Sequence, residues 1–393
     1  VKPERLHHLD ALRALTMLLI LPAHALALIG LSNGGWNGVE RTAYWLIHVF
    51  RLPLFFLVAG YFGALLLSAR GTRALLLNRL VRIGIPLVVV VLLVAPPLDL
   101  LVQSQMEISL RQEGTGALLD FHPSFAWFLW YLAIVYSAAL LTRWALGRLP
   151  AARRLLLGSG SGLLSHWAAP LLLAVPCALS LYWQPTWIAE APSESFLPRP
   201  DLLAYYGIFF LSGWILFAAE GLRRAIELRP RRYVALATLA LPPALALYLL
   251  QGEPEIGTSR GLHLLALLLL SVATWSLAFG LMGLARRFLR GPSPRLRYWA
   301  DASYWIYLSH LPVMGVLGLV LFEVPMPDGL RFVLLVFITL ALIYPAYGAF
   351  VRHTAIGRVL HGPRPQPRKI RQRKTAGVGS ATPAELIART RKA

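Results

Sequence analysis

Arg13 and His24 lie in one apolar stretch, residues 9–31, with ten residues between them. At about 100° per residue, eleven steps along a straight helix return to within roughly 20° of three full turns. Both side chains then share a face, about 16 Å apart along the axis. A guanidinium and an imidazole are costly to hold in hydrocarbon, and ionisable groups inside membrane segments are functional candidates by default. A plainer arrangement is also open, in which Arg13 snorkels to the cytosol and His24 closes a buried hydrogen bond. Asp10, three residues before Arg13, is spaced to pair with it and lower the cost of burial. Imidazole titrates near physiological pH, which makes His24 a candidate general base. Pro22 would kink the helix and open space beside it.

Other segments repeat the pattern. His48 and Arg51 open the second apolar run at helical spacing. They enter from the opposite side of the membrane, at about the depth of His24, and with it would make a polar pocket open to that side; interfacial hydrogen bonding is the alternative. His310 falls mid-membrane in a run from Asp301 to Pro312, where a proton relay, a ligand contact or a buried hydrogen bond would each suit it. Asp99 and Asp301 stand near span ends, away from the His24 imidazole. Arg79 and Arg82 share a helical face just before the third run. Arginine forks grip phosphate well, so the pair suits a phosphorylated cytosolic ligand such as coenzyme A. Paired cations at a cytoplasmic helix end are also what topology alone supplies. Aromatic residues cluster at Phe125–Tyr131 and at Tyr182, Trp183 and Trp187, fitting an interfacial belt or stacking against sugar rings.

The elements that would position these groups are membrane helices. Apolar residues make up 57% of the 393 residues and charged residues 14%, a balance that leaves too little polar surface for a soluble chain of this length. Apolar runs between polar breaks predict an all-α integral membrane protein of about ten transmembrane helices, at 9–31, 44–68, 80–102, 125–147, 166–186, 202–220, 232–251, 261–285, 302–322 and 330–352. The ninth is the weakest, because Pro312, Gly315 and Gly318 interrupt it. The first reads as an anchor that stays, being too long for a signal-peptide core.

Arginines crowd the even-numbered connections, while acids such as Glu107, Glu113, Asp120, Glu190, Glu194, Glu253 and Glu255 sit in the odd-numbered ones. The positive-inside rule then places both termini in the cytoplasm. Most of the +20 formal charge is topological, and nucleic-acid binding is a poor explanation of it. Residues 1–360 form the membrane domain. Residues 361–393 read as a disordered basic tail, solvated or resting on the anionic inner leaflet. The sole cysteine, Cys177, permits no internal disulfide. Only His7 and His8 are adjacent among the histidines, and no metal is expected. Walker loops, dinucleotide-binding glycine motifs and serine elbows are not found.

At these positions the chain resembles the acyltransferase-3 family of integral-membrane acyltransferases. The basic residue, ten intervening positions and histidine of that family's first helix match Arg13 and His24. Its Phe-Phe-x-x-x-Gly-Tyr-Phe signature appears at Phe55–Phe62, its Arg-x-x-Arg at Arg79 and Arg82, and its late Ser-x-x-Ile-Tyr-x-x-His at Ser303–His310. The wording is closest to the branch that succinylates osmoregulated periplasmic glucans, through Leu9–Ala14, Met17–His24, Ile47–Arg51 and Arg82–Pro86. The likeness is sharp in the first three helices and loose between 103 and 300.

The resemblance implies an enzyme of the bacterial inner membrane, with membrane lipids around it and no permanently bound cofactor. It implies O-acyl transfer from cytosolic acyl-CoA, succinyl-CoA ahead of acetyl-CoA, to a hydroxyl of a periplasmic or envelope glucan or polysaccharide. Arg79 and Arg82, with Arg13, would hold the donor phosphates. His24 would take the hydroxyl proton or carry the acyl group itself. His48, Arg51 and His310 would orient the acceptor or stabilise the oxyanion. The competing reading is a transporter that exports a glycan or organic anion without covalent chemistry. A non-catalytic scaffold would have no need of three intramembrane histidines.

Overall fold

The computed structural model describes residues 6–105, 123–189, 195–289 and 291–361. Among them the chain forms α1 (His7–Leu18), α2 (Ile20–Ser32) and α3 (Gly38–Arg79). Wide π-helical turns at Leu80–Gly84 and Val90–Val94 then flank α4 (Ile85–Val89) and precede α5 (Ala95–Gln105). There follow α6 (Trp127–Gly147), α7 (Pro150–Ser165), α8 (Ala169–Leu181), α9 (Pro200–Ala218) and α10 (Glu220–Glu227). The chain continues with α11 (Pro230–Leu250), α12 (Pro254–Gly257), α13 (Arg260–Phe288), α14 (Pro294–Leu321), α15 (Asp328–Ala346) and α16 (Ala355–His361). The acids at 107, 113, 120, 190 and 194 and the basic tail from 362 onward lie outside the described residues.

Eight of these helical stretches are long and apolar enough to cross a membrane, and the bent pair α7–α8 makes up to nine. One of the eight is the 63-residue run Gly38–Leu100, which if straight would reach about 95 Å, three times the hydrocarbon thickness of about 30 Å. Gly71, with φ 78°, breaks it in a conformation that side chains disfavour. The spans predicted at 44–68 and 80–102 lie on either side of that break.

The fifth predicted span, 166–186, is different. α8 has only 13 residues, about 20 Å, and meets α7 at 118°. Its turn comes just ahead of Pro170, which supports the start of a helix and cannot continue one. The ninth span is stronger than predicted. α14 runs 28 residues through Pro312, with Gly315 and Gly318 buried inside it.

Prolines shape the site-bearing helices. Pro22 has no N–H to offer the Leu18 carbonyl and its ring crowds that oxygen. The first span accordingly divides at Leu19, between α1 and α2. Leu19 keeps a right-handed backbone, with φ −63° and ψ −6°, and His7–Ser32 remains one 26-residue apolar stretch. Pro53, inside α3, frees the carbonyl of Val49 in the same way, and the Thr274 hydroxyl of α13 lies 2.9 Å from it, its one hydrogen shared with the Leu270 carbonyl at 2.8 Å. A backbone acceptor released inside hydrocarbon is thus satisfied by a neighbouring helix. That bond fixes α3 one turn from His48 and Arg51.

The core sits where α3 packs on α9, α13 on α8 and α11, and α1 on α14. The α3–α9 contact depends on glycine. A Cβ on Gly60 would come within 2.0 Å of the Phe210 carbonyl oxygen, and one on Gly213 within 1.8 Å of that of Leu57. Small residues let membrane helices approach to backbone contact. Gly213→Val is expected to cost about 3 kcal/mol, lowering the unfolding temperature measured by fluorescence-detected size exclusion. Gly207→Ala, on the same helix with open space around it, is expected to leave that temperature unchanged.

Candidate active site

α2 and α14 bring two histidines together. His310 is fully buried and its Nε2 lies 2.9 Å from Nδ1 of His24, with ring centroids 4.8 Å apart. His310 Nδ1 is 2.7 Å from the Tyr307 carbonyl oxygen. A carbonyl only accepts, so this Nδ1 carries the hydrogen, and in a neutral ring Nε2 keeps its lone pair. The hydrogen between the rings therefore belongs to His24 Nδ1. His24 Nε2 is left with a free lone pair, the form a general base or nucleophile requires. The sequence had left the partner of His24 open; it is His310, 286 residues away.

His24 lines a narrow cavity together with Thr16, Tyr44, His48, Arg51, Phe125, Trp127 and Tyr307. His48 stacks on Tyr44 at 3.8 Å between centroids, and its Nδ1 donates to the Tyr44 carbonyl at 2.8 Å. This directs His48 Nε2 to accept from Arg51 Nη2 at 3.4 Å. Arg51 is buried, 4% exposed, and its Nε has no hydrogen-bond partner among the described residues. The pocket expected from His24, His48 and Arg51 is thus a shared cavity. Phe125 and Trp127, two of the aromatic cluster, form part of its wall. The other cluster turns elsewhere: Trp187 stacks on His263 at 5.3 Å and Trp183 is exposed.

The arginines gather at the predicted cytoplasmic end. Arg13 pairs with Asp10 at 3.4 Å and lies 5.5 Å from the Phe62 ring centroid. Arg79 sits 4.3 Å above the Tyr136 ring, and its buried Nε has no partner among the described residues. Arg82 donates to the His361 carbonyl and its own carbonyl accepts from the Tyr304 hydroxyl. All three guanidinium groups are within electrostatic reach of one another. Tyr304, Tyr307 and His310 recur every third residue on α14, with successive ring centroids 6.2 Å apart. They form a ladder from Arg82 to His24. Tyr307 is the tyrosine of the Ser303–His310 signature; Tyr304 was not singled out in the sequence, although the spacing of three was visible there.

A second polar cluster was missed outright. Glu227 on α10 is buried and accepts from Arg223 Nη1 at 2.7 Å, from Arg286 Nη1 at 2.7 Å and from His8 Nε2 at 3.0 Å. Arg223 and Arg286 read as connection cations in the sequence; Arg223 is 2% exposed. The cluster ties α10, which lies outside the membrane-spanning segments, to the ends of α1 and α13. Burial alone would raise the Glu227 pKa, but the His8 and Arg286 hydrogen bonds and the Arg223 charge outweigh it and hold the carboxyl below its ordinary value.

A family model described as an acyltransferase domain matches residues 6–348. The chain is similar to the glucans biosynthesis proteins C of Escherichia coli (strain K12) and of Shigella dysenteriae serotype 1 (strain Sd197). Each is 25% identical over 340 residues, covering 81% of this chain and 84% of the relative. No solved structure matches the chain.

Because the folded-state pKa of Glu227 is depressed, its stabilisation is complete above the ordinary carboxylate value of about 4.3 and disappears as pH falls through the lower folded value. Glu227→Gln, which leaves buried Arg223 only the exposed Glu220 at 3.4 Å as counter-charge, is expected to cost about 3 kcal/mol at neutral pH. It should also flatten the acid limb of a plot of unfolding temperature against pH.

Proposed function

This chain belongs to the acyltransferase-3 family, a multi-pass membrane acyltransferase, and from that premise we propose that it transfers an acyl group from cytosolic acyl-CoA to hydroxyls of a periplasmic or cell-envelope glucan. The bacterial inner membrane is its place, since the donor and acceptor lie on opposite sides of it. The observation that carries the reading is the His24–His310 hydrogen bond at a cavity wall that also presents a buried guanidinium.

The donor enters from the cytoplasm. Arg13, Arg79 and Arg82 hold its phosphates, with the unpartnered Nε of Arg79 the donor best placed to gain a bond there. The tyrosine ladder of α14 lines the way from these arginines to His24. A glucan hydroxyl arrives from the far side, and His24 Nε2 takes its proton as the oxygen attacks the thioester carbon. His310 accepts the Nδ1 hydrogen of His24 and holds the ring in the one tautomer that leaves Nε2 basic. Arg51, held by His48 Nε2, supplies donors to the negative charge that develops at the carbonyl oxygen. Collapse breaks the carbon–sulfur bond, and the His24 imidazolium returns its proton to the coenzyme A thiolate. The products are an O-acyl glucan and free coenzyme A.

Support for the glucan acceptor is the similarity to the glucans biosynthesis proteins C; succinyl is put ahead of acetyl on the resemblance of Leu9–Ala14, Met17–His24, Ile47–Arg51 and Arg82–Pro86 to the succinylating branch. The transporter alternative has no comparable support, because the family match is to an acyltransferase domain.

A deletion strain complemented with the wild type is expected to regain an acyl mass increment on its periplasmic or surface glycans, and one complemented with His24→Ala is not. Equal glycan spectra from both strains would overturn the catalytic role of His24. His310→Phe, which removes the acceptor for His24 Nδ1–H, is expected to lower kcat about a hundredfold with the KM for acyl-CoA little changed. Arg79→Met is expected to do the reverse, raising that KM about tenfold with kcat retained. Steady-state kinetics in nanodiscs would separate the two.

A further inference from the structure

Three arginines are buried among the described residues: Arg51, Arg223 and Arg331. Arg223 has Glu227 and Arg331 has Asp328 as a carboxylate partner. Arg51 has no carboxylate within ion-pair distance among the described residues, and a neutral imidazole nitrogen is its hydrogen-bond acceptor. A guanidinium does not lose its charge in proteins, and a buried charge left without a counter-ion is strongly destabilising. The chain thus meets that requirement at two sites and leaves it unmet at the one that faces the His24 cavity.

The group that meets it belongs to a ligand, and its position limits which. An oxyanion exists only in passing and does not neutralise Arg51 in the resting complex. The coenzyme A phosphates sit at the cytoplasmic arginines, and a glucan hydroxyl is uncharged. What remains is the acyl chain, the one part of the donor that enters the cavity beside His24. A chain ending in a carboxylate offers Arg51 a bidentate partner; a chain ending in a methyl leaves it alone.

We propose that Arg51, held in place by His48 Nε2, is the specificity-determining residue of the acyl subsite and selects donors whose acyl group ends in a carboxylate. This rests on the acyl-transfer reading above. The selectivity comes less from attraction to the right chain than from the penalty on the wrong one. An uncharged chain of the same length fills the subsite and leaves a buried cation unpaired.

The test uses the full chain in lipid nanodiscs with a gluco-oligosaccharide acceptor and two donors of equal chain length, succinyl-CoA and butyryl-CoA, the products being separated by mass. The wild type is expected to favour succinyl transfer, and Arg51→Met to lower the succinyl-to-butyryl ratio about a hundredfold. A wild type without that preference, or an Arg51→Met ratio equal to the wild type's, overturns the proposal. Should Arg51→Met transfer neither group, thermal stabilisation of the wild type by monomethyl succinate and by methyl butyrate decides. A larger shift with monomethyl succinate is expected, and equal shifts overturn the subsite. Should the wild type itself transfer neither group, it is the acyl-transfer reading that fails, while the same two esters still answer for Arg51.

Discussion

Inside a bilayer a polar atom has no water to turn to, and each one must find its partner within the protein. That constraint organises this molecule at every level. It puts the Thr274 hydroxyl on the Val49 carbonyl that Pro53 releases. Burial in protein rather than in lipid has the same effect where His8, Arg223 and Arg286 from three helices meet one carboxylate. The constraint also joins His310 to His24 across nearly the whole sequence. Where the constraint is met the helices are locked together; the Nε atoms of Arg51 and Arg79 are among the buried polar atoms that keep no partner among the described residues.

The resulting site is divided by function along one helix. α14 carries Tyr304 against Arg82 at one end and His310 against His24 deeper in, so a single rigid element joins the arginine cluster to the histidine pair, the two places proposed for phosphate recognition and proton transfer. Such rigidity matters because a transferring group must arrive in a narrow range of geometry. The opposite wall belongs to α3, whose His48 and Arg51 are fixed by the Tyr44 carbonyl behind them and by the glycine-mediated contact with α9 further along. α2 lies against both.

Arg13 and His24, neighbours on one segment, have different surroundings. Asp10 and Phe62 stand around Arg13, and His310 meets His24. The spacing along the segment sets how far apart the two lie, and the helices packed around them decide what each side chain meets.

The sequence by itself determined the class of the molecule and the inventory of its site. Apolar run length gave the spans, because hydrocarbon thickness dictates it. Charge asymmetry gave the orientation, and the positions of His24, His48, Arg51 and His310 within apolar runs marked them as costly and hence purposeful. Neither the run lengths nor the charges could show that the fifth span is a short helix bent against its predecessor, because hydropathy does not register a turn within an apolar region. Pairing was decided by tertiary structure alone. That His310 holds His24, that Glu227 gathers three cations, and that Arg51 keeps no carboxylate within ion-pair reach among the described residues all depend on which helices touch. Helix contact is set by side-chain shape and small residues such as Gly60 and Gly213, and periodicity along one chain carries no record of what lies across from it.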